Sequence, residues 1–282
     1  MKTCVIDVGG GLRDIYAVGV LDRCLEEGLG FDLGVGVSAG SANLCSFAAG
    51  QHGRSYVFYT DYSFRKDYMS QANYRTKGCF LDVHYIYGVL SDSDGEYPLD
   101  YPALQSNPME FCFVATDAQT GQARYFDKSD IAQDDYRVLM ASCAMPLMCN
   151  PQEIDGRIYF DGDITDPIPL AKALAAGCDK VVLILSQPRH EQRSPEADQR
   201  VVASMQRKYP EYPRLIQALS QRAELYNREL AQAAEYEKQG RLLVVAPDDI
   251  CGLGSLTRDR QALIRLYEKG RADGASIVDF LA

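Results

Sequence analysis

Short apolar runs alternate with amphipathic segments over the first fifty residues. Thr3–Val8 is an apolar run that ends at Gly9, and Leu33–Val37 is a second short apolar run, which predicts two buried strands. Asp14–Glu27 carries apolar residues at helical spacing and begins with a residue type that caps helices, and Ser41–Gly50 predicts a second helix. Because strand and helix alternate, we expect adjacent parallel strands joined by right-handed crossovers.

The middle of the chain combines hairpin patterns with less regular segments. Tyr56–Met69 is predicted to be helical, whereas Tyr85–Tyr101 is rich in Tyr, Asp and Gly and predicts a loop or mobile flap. The remaining predictions are hairpins at Glu110–Phe126 and Glu153–Phe160, helices at Tyr136–Met145 and Pro167–Ala176, and a strand at Lys180–Ser186.

The last third of the chain changes to a mainly helical pattern. A polar loop is predicted at Gln187–Asp198, a long helix at Tyr209–Gln239, a strand at Arg241–Ala246 and further helix at Thr257–Leu281. We therefore expect a core over residues 1–186 and a helical C-terminal extension over residues 187–282, packed together as one domain.

Composition narrows the function classes. The 282 residues are 46% apolar and 24% charged, which is typical of a globular protein. The net charge is −10, from 29 Lys and Arg against 39 Asp and Glu, and no basic stripe occurs. This excludes a nucleic-acid partner and argues against electrostatic docking on anionic lipid. A mechanism that needs histidine has three candidates, His52, His84 and His190.

The nine cysteines indicate a reducing compartment. Their number is odd, their spacing is scattered and no C-x-x-C occurs, which fits neither a disulfide framework nor a zinc site. The apolar run near Met1 is too short for a signal peptide, and no apolar run reaches the length of a membrane span. We expect a cytoplasmic protein without a metal or another cofactor.

One pentapeptide has the pattern of a catalytic serine. Gly36-Val37-Ser38-Ala39-Gly40 matches G-x-S-x-G, in which small residues allow a strained turn that exposes the serine hydroxyl. The pattern also arises by chance in a glycine-rich chain. Its position between a predicted strand and a predicted helix favours Ser38 as a nucleophile.

Two further motifs supply what a serine nucleophile needs. Gly9, Gly10 and Gly11 follow the first strand, and their N–H groups suit a tight turn, a phosphate loop or an oxyanion hole. Neither nucleotide-binding glycine fingerprint is complete. Asp161, which follows the second hairpin, is either a turn residue or the base that a serine requires.

Taken in order, these motifs resemble those of the patatin-like phospholipases, a family of serine lipid acyl hydrolases. The similarity covers about residues 1–186 and includes Ala141–Pro146 and Ile154–Gly156. It implies a three-layer α/β/α fold with a mainly parallel central sheet and a Ser–Asp dyad. Ser38 would be the nucleophile and Asp161 the base.

The resemblance extends to the oxyanion hole and the substrate. Gly10 and Gly11, together with Gly9, would form the hole, and Arg13 matches a basic residue that either supports the loop or adds positive potential. The implied substrate is a lipid ester such as a phospholipid or lysophospholipid, met in some cases at a membrane surface through apolar contacts. Tyr56–Met69 and Tyr85–Tyr101 are candidates for the acyl groove or its cover.

The chain departs from the family pattern at two positions. Asp163 stands where a small residue is usual, and a second carboxylate beside Asp161 is expected to raise the pKa of one of the two. Asp14 replaces the glycine that often follows Arg13, and we expect it to cap the helix.

Two other functions remain open from the sequence. One is a Ser–Asp–His carboxylesterase, for which only His190 follows Asp161 in the required order. The other is a non-catalytic lipid- or partner-binding protein that keeps the hydrolase fold.

Overall fold

A computed structural model describes residues 1–282 of the protein. A single mixed sheet of eight strands forms the centre of the molecule. The strands are β1 (Thr3–Asp7), β2 (Leu33–Val37), β3 (Glu110–Asp117), β4 (Gln122–Phe126), β5 (Gln152–Ile154), β6 (Arg157–Asp161), β7 (Lys180–Ile184) and β8 (Leu242–Val245). Their order in the sheet is β5-β6-β3-β2-β1-β7-β8, with β4 also paired to β3. Strands β3, β2, β1, β7 and β8 run parallel, whereas β4, β5 and β6 join by antiparallel pairing.

Eleven α-helices surround this sheet. The longest, Pro213–Lys238, lies in the C-terminal part, as the sequence predicted. Their bounds are α1 (Ile15–Glu26), α2 (Ala39–Ala48), α3 (Arg54–Thr60), α4 (Gln71–Lys77), α5 (Tyr101–Ser106), α6 (Arg137–Ser142), α7 (Leu170–Ala175), α8 (Pro195–Lys208), α9 (Pro213–Lys238), α10 (Arg260–Asp273) and α11 (Ser276–Leu281).

Alternate residues of the central strands pack into separate cores on the two faces of the sheet. In β1, Val5 joins the core shared with α1, α2 and α10, whereas Cys4 and Ile6 join the core shared with α7 and α9. This alternation follows from the two-residue period of a strand. Helices therefore cover both faces, and the predicted three-layer α/β/α fold is confirmed.

The irregular segment Tyr85–Tyr101 is more closely packed than its composition suggested. The predicted loop describes most of Tyr85–Tyr101: after a π-helical turn at Tyr85–Val89 the backbone is irregular, yet Leu90 and Leu99 are buried. The buried side chain of Arg54 also donates hydrogen bonds to this segment, to Ser91 Oγ and to the carbonyl oxygens of Tyr97 and Pro98. The polar composition of the segment did not predict this packing, because the contacts come from residues far away in the sequence.

The predictions of secondary structure were also inaccurate at two helices. The predicted loop Gln187–Asp198 contains the start of α8, which begins at Pro195, a favoured residue for the first turn of a helix. The predicted helix Tyr56–Met69 is shorter, since α3 ends at Thr60 and only a 3-10 turn follows.

The sheet continues beyond residue 186, because β8 pairs with β7. The division into a core and a C-terminal extension stays a prediction. Every helix is too short or too polar to traverse a lipid bilayer.

Candidate active site

Ser38 lies at the turn between β2 and α2. Its φ of 54° falls in the left-handed region, which is strained for any residue except glycine. The flanking glycines are required by close packing. A Cβ on Gly36 would lie 2.5 Å from Ser41 Cα, and one on Gly40 would lie 2.3 Å from the Asp7 carbonyl oxygen. The pentapeptide therefore has the strand–turn–helix geometry of a nucleophile elbow.

A second serine, Ser142 at the end of α6, supports this elbow. The buried Ser142 Oγ accepts the Ser38 N–H at 2.9 Å and donates to the Val114 carbonyl at 2.7 Å. Since its proton is used there, Ser41 Oγ, 2.8 Å away, donates to it. Sequence reasoning did not single out Ser142. The only hint was the family resemblance of the segment Ala141–Pro146.

Asp161, the last residue of β6, contacts Ser38, although the two residues are 123 positions apart in the sequence. Ser38 Oγ donates to Asp161 Oδ2 at 2.8 Å, and the Asp163 N–H donates to Oδ1 at 2.9 Å. The Thr116 hydroxyl donates to the Asp161 carbonyl at 2.8 Å, and the Asp161 N–H donates to the Ala144 carbonyl at 3.0 Å. The carboxylate is therefore fixed on both its backbone and its side chain.

The environment of Asp161 shifts its proton affinity. Burial, and next the neighbouring charge of Asp163, raise the pKa of Asp161 to about 7. The hydrogen bonds from Asp163 and Ser38 act in the opposite direction. A carboxyl group with this pKa gains and loses its proton near neutral pH, as a general base should.

Asp163 belongs to an ion-pair cluster supplied by the C-terminal part of the chain. Its oxygens lie 2.7 Å from Arg193 Nη2 and 3.0 Å from Arg222 Nη1, and Arg222 also pairs with Asp198. Burial opposes ionisation of Asp163, but Arg193 and Arg222 hold its pKa below the usual value. Of the two neighbouring carboxyl groups, Asp161 is therefore the one whose pKa is raised.

The glycine loop runs beside the serine. A Cβ on Gly9 would lie 3.0 Å from Ser38 Cβ, and Gly9, Gly10 and Gly11 all have positive φ. The Gly9 N–H donates to Asp7 Oδ1 at 3.1 Å. The Gly10 and Gly11 N–H groups have no acceptor within the protein. Of the three predicted donors, these two are free to meet a substrate oxygen.

Ser38 lines two cavities of opposite character. The first, here called the apolar chamber, includes side chains from both segments proposed as the acyl groove or its cover. The second, the polar mouth, holds about 500 Å³, within the roughly 300–1,000 Å³ typical of ligand pockets. The apolar chamber is lined by Phe58, Tyr59, Tyr68, Met69, Ile86 and Tyr87, among others, and the polar mouth by Arg13, Asp161, Asp163, Glu191, Arg193 and Arg222, among others.

Arg13 contributes charge to the polar mouth. Its side chain makes no hydrogen bond or ion pair within the protein, and its Nε is buried without a partner. Burial, followed by the nearby charge of Arg193, lowers the pKa of Arg13. This geometry favours the expected contribution to positive potential over support of the loop by hydrogen bonds.

The prediction that Asp14 caps a helix is wrong. Its side chain makes no capping hydrogen bond, because the 3-10 turn Gly11–Asp14 leads directly into α1 and leaves Asp14 with near-helical φ and ψ. The carboxyl group is instead fully buried, and Asn43 Nδ2 donates to it at 2.8 Å.

The three histidines lie elsewhere. His52 pairs with Glu26 at 3.0 Å, and His84 and His190 are exposed. No histidine lines the apolar chamber or the polar mouth. The arrangement at Ser38 is therefore a pair of residues without an imidazole.

The α/β/α fold and the serine elbow agree with the comparison to known families. The family model described as patatin-like phospholipase matches residues 8–174, more than half of the chain. The protein therefore belongs to the patatin-like phospholipase family. A second model, a domain of unknown function (DUF6363), matches residues 212–281, which include the whole of α9, α10 and α11.

The relatives are similar over parts of their length. "Uncharacterized protein YjjU" of Escherichia coli K12 is 27% identical over 200 residues, which are 69% of this chain and 55% of YjjU. "Uncharacterized NTE family protein Rv1063c" of Mycobacterium tuberculosis H37Rv is 30% identical over 82 residues, 29% of this chain and 22% of that protein. The chain thus spans about half of YjjU and less of Rv1063c.

A solved structure shares the fold. VipD from Legionella pneumophila superposes with a TM-score of 0.51 at 14% identity, covering 99% of this chain and 66% of VipD. At this identity the match supports the architecture of the chain alone.

Proposed function

We propose that this protein hydrolyses carboxylic esters of lipids through a Ser38–Asp161 dyad. The observation that carries the proposal is the 2.8 Å hydrogen bond from Ser38 Oγ to Asp161 Oδ2 at a strained elbow. Membership of the patatin-like phospholipase family supports lipid ester hydrolysis at the level of the family.

In the acylation step, ionised Asp161 takes the proton of Ser38 as Oγ attacks the ester carbonyl carbon. The Gly10 and Gly11 N–H groups stabilise the oxyanion of the tetrahedral intermediate. As the ester C–O bond breaks, Asp161 returns the proton to the leaving alcohol and an acyl-enzyme remains. Asp161 then takes a proton from water, whose oxygen attacks the acyl carbon, and Ser38 recovers its proton as the fatty acid leaves.

The two cavities support a lipid substrate. An acyl chain fits the apolar chamber, which is lined mainly by aromatic and aliphatic side chains. A polar leaving group, such as that of a phospholipid or lysophospholipid, fits the polar mouth, which contains Arg13 and Arg193. With a net charge of −10, contact with a membrane surface would rely on apolar side chains.

A serine-directed fluorophosphonate tests this proposal. Wild-type protein should be labelled, and Ser38→Ala should not. With a panel of lipid esters, Ser38→Ala and Asp161→Asn should each lower kcat/KM by about 1,000-fold or more. The matched control is His190→Ala, which should retain wild-type activity because His190 is exposed and lines neither cavity.

Each alternative function predicts a different outcome. Loss of activity in folded His190→Ala would overturn the dyad in favour of a Ser–Asp–His esterase. Failure of Ser38 to react in folded wild-type protein would favour a non-catalytic binding protein. Labelling without lipid hydrolysis, but with cleavage of small esters, would keep the dyad and reject the lipid substrate.

A further inference from the structure

Two buried carboxyl groups lie at the two ends of the glycine loop. Asp7 precedes the loop and Asp14 follows it, and both side chains are 0% exposed. The amide of Asn43, on α2, donates to both, at 2.8 Å to Asp14 Oδ2 and 3.3 Å to Asp7 Oδ2. Neither carboxyl group forms an ion pair. Two neighbouring buried carboxylates that lack an ion-pair partner cannot both ionise at low cost, so one of them retains a proton.

Asp7 touches both parts of the candidate active site. Its Oδ1 accepts the Gly9 N–H at 3.1 Å. A Cβ on Gly40 would lie 2.6 Å from Asp7 Cγ, so the carboxyl group packs against the first turn of α2, immediately after Ser38. The position of this carboxyl group therefore links the glycine loop to the nucleophile elbow.

The surroundings indicate which carboxyl group holds the proton. Burial and then the charge of Asp7 raise the pKa of Asp14 well above its usual value, whereas burial raises that of Asp7 only to about 6. Three other titratable groups face the pair: Arg13 from the same turn, Tyr59 from α3, and Cys143, which directly follows α6. Burial raises the pKa of Tyr59 and of Cys143, so both are neutral.

We propose that Asp7, Asp14 and Asn43 form a proton-sharing brace that positions the Gly10 and Gly11 N–H groups against Ser38. Protonated Asp14 donates to ionised Asp7, and Asn43 ties both to the helix of the nucleophile. These are positioning residues, since none touches the reacting atoms. The catalytic consequence of the brace rests on the proposed function, but the shared proton and the loop geometry do not.

NMR of the full-length protein tests the brace without any substrate. In protein labelled with ¹³C-aspartate, the Asp14 carboxyl resonance is identified as the one that is missing from the spectrum of Asp14→Asn. In wild-type protein this resonance should have the chemical shift of a protonated acid at neutral pH. The amide resonances of Gly10 and Gly11 should move in Asp14→Leu and stay near their wild-type positions in Asp14→Asn, whose amide can still donate to Asp7. An ionised Asp14 at neutral pH, or unmoved glycine resonances in Asp14→Leu, would overturn the proposal.

Kinetics then test the catalytic consequence. In folded Asp14→Leu, kcat for ester hydrolysis should fall about tenfold or more with little change in KM, and Asp14→Asn should recover most of it. Wild-type activity should decline at alkaline pH, where Asp14 loses its proton, and Asp14→Asn should lack that decline. The matched control is Asp249→Leu, at an exposed position between β8 and α10 that lines neither cavity. Equal kcat in Asp14→Leu and wild type would refute the positioning role. An inactive wild-type protein with the expected NMR spectra would refute only the proposed function.

Discussion

Replacing Asp163 by asparagine changes the charge beside the proposed base while keeping the size of the side chain. Asp161 must be ionised to accept a proton, so activity should fall as the pH drops through its pKa, which is about 7. The charge of Asp163 raises this pKa. In Asp163→Asn that charge is gone, and the positive charge of Arg222 remains nearby. The acid limb of the pH–rate profile should therefore move to lower pH.

The expected size follows from the contacts of Asp163. As a general scale, two unit charges about 4 Å apart interact by about 4 kcal/mol at an effective dielectric constant near 20. Arg193 and Arg222 pair with Asp163 and offset much of its field at Asp161. We therefore expect the midpoint of the acid limb to fall by about one pH unit, equivalent to about 1.4 kcal/mol.

The assay is the initial rate of ester hydrolysis across the acid and neutral range, with folding checked by circular dichroism at each pH. Arg222→Gln should move the limb in the opposite direction, because Arg222 lowers the pKa of Asp161. Asp155→Asn, in the exposed turn between β5 and β6, should leave it unmoved. An unchanged limb in Asp163→Asn, or a shift to higher pH, would refute the electrostatic reasoning.

Two further predictions concern stability. Because folding raises the pKa of Asp161 from 3.8 to about 7, the folded state binds more protons in that window, and wild-type stability falls as the pH rises through it. Asp161→Asn lacks this loss, so its free energy of unfolding should exceed that of wild type by about 2–4 kcal/mol at neutral pH and by less in acid. Urea unfolding measures both values, and a stability gain that does not vary with pH would contradict this reasoning. Ser142→Ala, which removes the support of the Ser38 N–H, should lose about 1–3 kcal/mol and lower kcat, whereas Ser220→Ala, on an exposed position of α9, should change neither. Equal stability of Ser142→Ala and wild type would refute the supporting role.

Local patterns predicted the parts of the fold that have local causes. Leu33–Val37 is β2 in the structure and Thr3–Val8 contains β1, because short apolar runs rich in β-branched residues favour buried strands. Local patterns missed the packing that distant contacts decide. Leu90 and Leu99 are buried within a segment whose composition is that of a loop, and the carboxyl group of Asp14 turns inward to Asn43.

The sequence by itself determined the chemical groups that the site contains: a serine between small residues at a strand–helix turn, a run of glycine N–H donors, and an aspartate at a strand end. These follow from residue types at fixed short spacing. Only the tertiary structure decided their relations. It brings Asp161 to 2.8 Å from Ser38, occupies the Gly9 N–H with Asp7, and sets Arg222 from α9 against Asp163. Distances, burial and charge–charge energies depend on segments far apart in the chain, so no local pattern encodes them.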